Sequence, residues 1–203
     1  MIRIAILLLF ILSLASCHKS TTPTDTFSRN DFPMAVGDWW RYQVIDVNAP
    51  TDTLLMTVIA SSGNGSTKDY TYTIYKNAYH RTVDTGHFII SDTGLSYNTT
   101  NPYYSYFGSF NLKLPFQKEQ QWVGSLPHDT ITAVGRAAVV KIMGKDYGPV
   151  YTLNRKAISS HYRNLSGIFV APHIGIIYQD VSIEIDTAVP QKQTFLLIDY
   201  NLN

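Results

Sequence analysis

From about residue 32 onward, apolar and polar positions alternate with a period of two, in short segments separated by turn residues. That is the signature of half-buried β-strands, whose successive side chains point to opposite faces. Trp40, Tyr42 and Val44 alternate with Trp39, Arg41 and Gln43, which assigns the even positions to the core. Residues 48–52 break the run. Leu54, Met56, Val58 and Ala60 then alternate with Thr53, Leu55, Thr57 and Ile59, a strand apolar on both sides. Residues 61–67, rich in Gly and Ser, predict a hairpin turn. Residues 70–75 are β-branched or aromatic, as strands prefer, and residues 87–92 make a further short strand. No ten-residue run shows apolar positions at the i, i+3, i+4, i+7 spacing of an amphipathic helix.

The middle is less regular. Residues 99–110 gather Tyr103, Tyr104, Tyr106, Phe107 and Phe110 around Asn101-Pro102 and Gly108, which reads as loop with one or two short strands. Residues 130–143 read as one longer strand whose apolar face changes at Gly135, the mark of a β-bulge. Residues 147–149 turn the chain into a strand over 150–159. At the end, Val181, Ile183 and Ile185 alternate with Asp180, Ser182, Glu184 and Asp186, so the apolar three are expected to face inward. This segment should pair antiparallel with residues 192–202 around a loop at 187–191. The fold class is therefore all-β: one antiparallel domain of about eight to ten strands, as a curved open sheet, barrel or sandwich. Strands apolar on both faces favour an enclosed sheet.

The amino terminus follows a different rule. Met1-Ile2-Arg3 is a short cationic start, and residues 4–12 are an unbroken apolar run, about half the ~20 residues of a membrane-spanning helix. A short apolar core with a positive flank, followed by small residues, is a secretory signal peptide. Leu14-Ala15-Ser16-Cys17 resembles a bacterial lipobox. The resemblance implies that the Cys17 sulfur is diacylglycerylated, that cleavage falls before it, and that the new amino group is then acylated. The chain divides into a signal peptide at 1–16, a lipidated Cys17 with a flexible tether at 17–31, and a β-rich domain at 32–203. Several acyl chains at about 0.8 kcal/mol per buried CH₂ hold a soluble fold stably at a membrane.

Charge narrows the partners. The 203 residues include 16 Lys+Arg and 15 Asp+Glu. Arg3 leaves with the signal, so the side chains of the mature chain balance at 15 against 15. A nucleic-acid partner has no basic footprint to meet. The lone Cys makes neither an intramolecular disulfide nor a Cys-rich zinc site.

Three segments carry a second resemblance. Residues 32–42, Phe-Pro-Met-Ala-Val-Gly-Asp-Trp-Trp-Arg-Tyr, look like the segment that opens the folded domain of many small envelope lipoproteins of Bacteroidota. Residues 169–177 resemble the Ala-Pro-x-Val-Gly segment that leads into their last strands. Residues 116–122 resemble their Pro-Phe-x-x-Gly-x-x-Trp, without its Gly. The resemblance implies a β-rich lipoprotein of the cell envelope, with a curved sheet like those of lipoprotein carriers or lipocalins. It implies no activity and transfers no catalytic residue.

Chemistry is sparse. The six His residues have none of the spacings that preset a metal pair, and neither H-E-x-x-H nor G-x-S-x-G occurs. No metal or cofactor is expected. Asp180, Glu184 and Asp186 share a strand face, which reads as a solvated surface guarding an edge. The aromatic cluster of Tyr97, Tyr103, Tyr104, Tyr106, Phe107 and Phe110 is the candidate ligand contact, since such rings stack on sugars or line apolar pockets. The alternative is a loop folded over the core as a plug. The leading functional reading is a non-catalytic envelope lipoprotein, anchored in the outer membrane and facing the periplasm. It would bind an apolar or amphiphilic small ligand in a cavity lined by Leu54, Met56, Val58 or Tyr72. A glycan-binding or protein-interaction module is the alternative, and a hydrolase would need a His beside an acid in a cleft.

Overall fold

A computed structural model describes residues 26–32, 34–99, 110–124, 128–160, 162–185 and 191–203. The protein is all-β. The strands are β1 (Thr26–Phe27), β2 (Trp39–Asp46), β3 (Ala49–Ser62), β4 (Thr67–Lys76), β5 (Arg81–Ser91), β6 (Gly94–Thr99), β7 (Phe110–Lys113), β8 (Phe116–Gln117), β9 (Gln121–Val123), β10 (Asp129–Ala137), β11 (Val140–Ile142), β12 (Lys145–Tyr147), β13 (Val150–Ile158), β14 (Tyr162–Ala171), β15 (Gly175–Ile185) and β16 (Gln191–Asn201). Twelve of them form one antiparallel sheet, in the order β7-β6-β5-β4-β3-β2-β16-β15-β14-β13-β10-β9. The sheet curls until its two edges meet: the Trp122 indole Nε1 on β9 donates to the Asn111 carbonyl on β7 at 2.8 Å. The result is a nearly closed barrel.

Period-two alternation places the core. Trp40, Tyr42 and Val44 on β2 point inward with Leu54, Met56 and Val58 on β3, as the even-face assignment requires. Trp39 points the other way, under the Arg41 guanidinium at 5.3 Å. The register slips between Val58 and Ala60, so β3 leaves the core at its end and Ala60 is exposed. The bulge expected near Gly135 is present, between Ala133 and Gly135.

Several boundaries differ from the sequence reading. Sixteen strands replace the eight to ten expected, because short edge pieces such as β8 and β9 are below the length at which alternation can be read. The break expected over 48–52 contracts to the turn at Val47-Asn48, with Asp46 paired to Ala49. Residues 130–143 are two strands. β10 stops at Ala137, and β11 pairs with β12 around Met143 and Gly144, both at positive φ as a two-residue hairpin requires. β14 lies where the alternation predicts no strand. In the carboxyl-terminal hairpin, β15 pairs with β16 as expected and Val181 is buried, but Ile185 is 51% exposed because the strand runs past the core.

Structure also begins before residue 32, inside the stretch assigned to the tether. Thr26–Phe27 pairs with Phe116–Gln117, and the Phe27 ring is buried, stacked on Phe116 at 5.0 Å. The chain then crosses one end of the barrel as a strap. Arg29 reaches Asp92 at 2.7 Å and the Ser66 carbonyl at 3.0 Å, and the Asp31 carbonyl accepts from the His173 amide at 2.7 Å. Phe32 seals that end against Phe88. The opening motif has a physical reason. Gly37 takes φ +94°, and the buried Asp38 carboxylate accepts the amides of Ala35 at 2.6 Å and of Asn203 at 2.8 Å. The motif thereby ties the start of β2 to Asn203, just past the end of β16.

Candidate functional site

The barrel interior is filled. Tyr72 and Tyr97 stack at 5.2 Å, Phe88 packs against both, and the Tyr72 hydroxyl donates to the Asn98 carbonyl at 3.1 Å. Gly86 makes room for this arrangement, since a Cβ there would overlap the Tyr72 hydroxyl and the Asn98 carbonyl. Burial, and next the neighbouring Tyr72, push the Tyr97 phenol well above its ordinary pKa. The expected cavity is not open. Leu54, Val58 and Tyr72 are fully enclosed, and beside Met56 there is a void of about 10 Å³ under Phe32, Met34 and Trp40. That volume suits one water at most.

Of the candidate ligand contacts, Tyr97 lies on β6 as a core residue rather than in an exposed loop. Phe110 opens β7. Tyr103, Tyr104, Tyr106 and Phe107 lie outside the described residues, as does Cys17.

One His does meet an acid. His87 Nδ1 lies 2.9 Å from Asp69 Oδ1, with both side chains more than a third exposed on the outer face of β4 and β5. The pair is thus solvent-accessible, whereas a hydrolase site would hold it in a cleft. Among the described residues no group of three His, Cys, Asp or Glu side chains can hold a metal ion.

What the sequence missed is the seam of the barrel. β7 and β9 are the two edges of the long sheet, and among the described residues no ladder joins them. A slot of about 440 Å³ lies along the seam, lined by Ser96, Asn111, Leu112, Lys113, Trp122 and Val123, with Ile89 and Leu95 beside them. Trp122 is cross-strand from the buried Ile131, so its indole fills the slot from the inner side, next to Phe116 at 5.8 Å. The backbone pattern gives the slot its chemistry. The Leu114 amide donates to Thr93 and the Gly124 amide to Asp129. In an antiparallel ladder alternate residues point to the same neighbour. Leu112 therefore faces β6 and Trp122 faces β10 through their backbones, while Asn111, Lys113, Gln121 and Val123 turn their amides and carbonyls toward the seam. The sequence signal for this was weak: both edge strands are shorter than five residues.

No protein-family model matches the chain, and no curated protein matches it. Solved structures do. A protein of Bacteroides fragilis, provisionally described as exported and as having a YmcC-like fold, aligns over 84% of this chain and 98% of its own, with 12% identity and a TM-score of 0.51. A protein of Parabacteroides distasonis, provisionally described as a lipoprotein, aligns over 84% of this chain and 97% of its own, with 11% identity and a TM-score of 0.46. The first likeness shows a shared fold. At that identity it transfers no residue roles.

Proposed function

We propose that this chain is a non-catalytic lipoprotein of the bacterial cell envelope, held at the outer membrane through Cys17 and facing the periplasm, whose barrel acts as a protein-interaction module. The observation that carries the reading is a filled interior beside an open seam. A carrier of apolar ligands needs enclosed volume, and the void beside Met56 has room for one water at most. The seam offers apolar side chains and outward-turned backbone groups instead. The anchor rests on the lipobox, on the apolar run before it and on the small residues around the cleavage point. His18 rather than Asp follows the Cys, which favours the outer membrane over retention in the inner one.

Two measurements test this. Cys17→Ser should abolish labelling by a palmitate analogue and release the chain from the membrane fraction, and persistent labelling would overturn the anchor. Native mass spectrometry of the mature chain should find no non-covalent lipid. A stoichiometric copurifying lipid would restore the ligand-carrier reading and require the core to open.

A further inference from the structure

We infer that the seam between β7 and β9 is a docking slot for an extended peptide segment of a partner protein, added antiparallel to β7 and carrying an acidic side chain opposite Lys113. The inference rests on the interaction-module reading above and supplies its partner chemistry.

The backbone argument comes first. Sheet edges are templates for another strand, and soluble proteins cover or blunt them. Here the Asn111 amide and both backbone groups of Lys113 point into the slot, and among the described residues only the Asn111 carbonyl is used, by the Trp122 indole. An extended chain satisfies such a row with its own amides and carbonyls, as in β-strand addition. The two edges run antiparallel to each other, so an added strand can be antiparallel to one alone. The four-residue β7 is the longer edge, and antiparallel pairing is the stronger kind.

The side chains give the rest. Leu112 and the Trp122 indole close the inner side of the slot, a setting for apolar residues at alternate positions of the guest. On the outer face, Lys113 is exposed and has no ion-pair partner among the described residues. A carboxylate directly across the strands from it completes the charge. Just beyond β7 in sequence, Phe116–Gln117 already pairs with an extended segment, Thr26–Phe27, in a separate two-stranded sheet.

The test uses the mature acylated chain in detergent and two fluorescein-labelled heptapeptides of alternating Val and Thr, one with a central Asp and one with a central Lys. Fluorescence anisotropy should show the Asp peptide binding about two- to fivefold more tightly, the range of a cross-strand charge pair. Lys113→Glu should reverse that order. Hydrogen exchange should slow at the Asn111 and Lys113 amides at saturating peptide, and stay unchanged at the Leu112 amide, which already pairs with β6. Absence of binding to either peptide overturns the inference, as does binding that leaves those two amides unprotected or a preference indifferent to Lys113→Glu. Protection of the same amides without peptide, together with a dimer in sedimentation, would assign the slot to a second copy and overturn it equally. Failure here leaves the anchoring and lipid measurements intact, so it is distinguishable from failure of the broader reading.

Discussion

The inner wall built by β2–β6 and the one built by β10 and β13–β15 enclose the same core with different chemistry. The first presents Trp40, Tyr42, Leu54, Met56, Tyr72, Ile74, Phe88 and Tyr97, with Asp84 as its one buried charged residue among those described. The second mixes Ile131, Leu153, Ile168 and Ile177 with Asp129, Arg155, Asn164, Ser166 and Gln179, all buried. Arg155 lies against Asp129 with Nε 3.0 Å from Oδ1 and a terminal nitrogen 2.8 Å from Oδ2, and the Ser166 hydroxyl donates to Asn164 at 3.0 Å. The difference teaches that a β core tolerates inward polar groups where they pair, as Arg155 does with Asp129 and Ser166 with Asn164. On the first wall packing fixes the fold. On the second, pairing must be kept as well.

The largest effect should come from the first wall. Trp40 is fully buried, and its Nε1 donates to the Ile174 carbonyl at 2.7 Å. Trp40→Ala removes a large ring beside an existing void and orphans that carbonyl, which should cost about 3–5 kcal/mol. Chemical denaturation followed by circular dichroism measures it. A loss below about 1 kcal/mol would contradict the packing of this wall.

The second wall breaks differently. Arg155→Ala leaves the Asp129 carboxylate buried without its guanidinium, and should cost about 3–5 kcal/mol. Replacing both, Arg155→Met with Asp129→Leu, should recover most of the loss, since well-packed apolar pairs often match buried ion pairs. Equal losses in the single and the double variant would mean that the wall depends on shape alone, and the contrast with the first wall would disappear.

This contrast also explains what was legible in the sequence. Alternation found β2, β3, β4 and the carboxyl-terminal hairpin because their inward residues are apolar. It missed β14 because Asn164 and Ser166 point inward while Leu165 and Phe169 point outward, so the hydrophobic pattern is inverted over half the strand. Arg155 was hidden likewise between Leu153 and Ala157. Phe27 is illegible as core because one aromatic residue among Ser and Thr has no period. The seam was illegible for another reason: its chemistry is in backbone groups, and which of them turn outward depends on register rather than residue type.

A smaller effect separates packing from hydrogen bonding within the first wall. The Tyr42 hydroxyl donates to the Ile176 carbonyl at 2.9 Å. Burial, and secondarily the neighbouring Tyr147, hold its phenol above the ordinary value of 10.0. A folded pKa above the unfolded one gives stability that is present below pH 10 and is lost as pH rises beyond it. Tyr42→Phe should cost about 1 kcal/mol at neutral pH and make the alkaline loss shallower. Thermal melts from neutral pH to about 11 check both, and an unchanged alkaline limb would remove Tyr42 from that account.

The smallest effect should come from the outer face of β15, where carboxylates sit one residue away from the polar interior. Gln179 and Val181 point inward, while Asp180 is exposed and Glu184 is 3.6 Å from Arg163 with both side chains half-exposed. Asp180 Oδ1 accepts from the Gly167 amide at 2.6 Å, a bond an Asn carbonyl oxygen can keep. The Glu184–Arg163 pair is screened by water, so removing it is worth about 0–1 kcal/mol. The double variant Asp180→Asn with Glu184→Gln should therefore leave the denaturation midpoint within about 1 kcal/mol of the parent. A loss as large as that of Arg155→Ala would show that this face is coupled to the buried Asp129–Arg155 pair. A register slip of one residue would bury these carboxylates in place of Gln179 and Val181. The near-silence of the double variant is thus a direct test that inward polarity on this wall belongs to Gln179 and its neighbours.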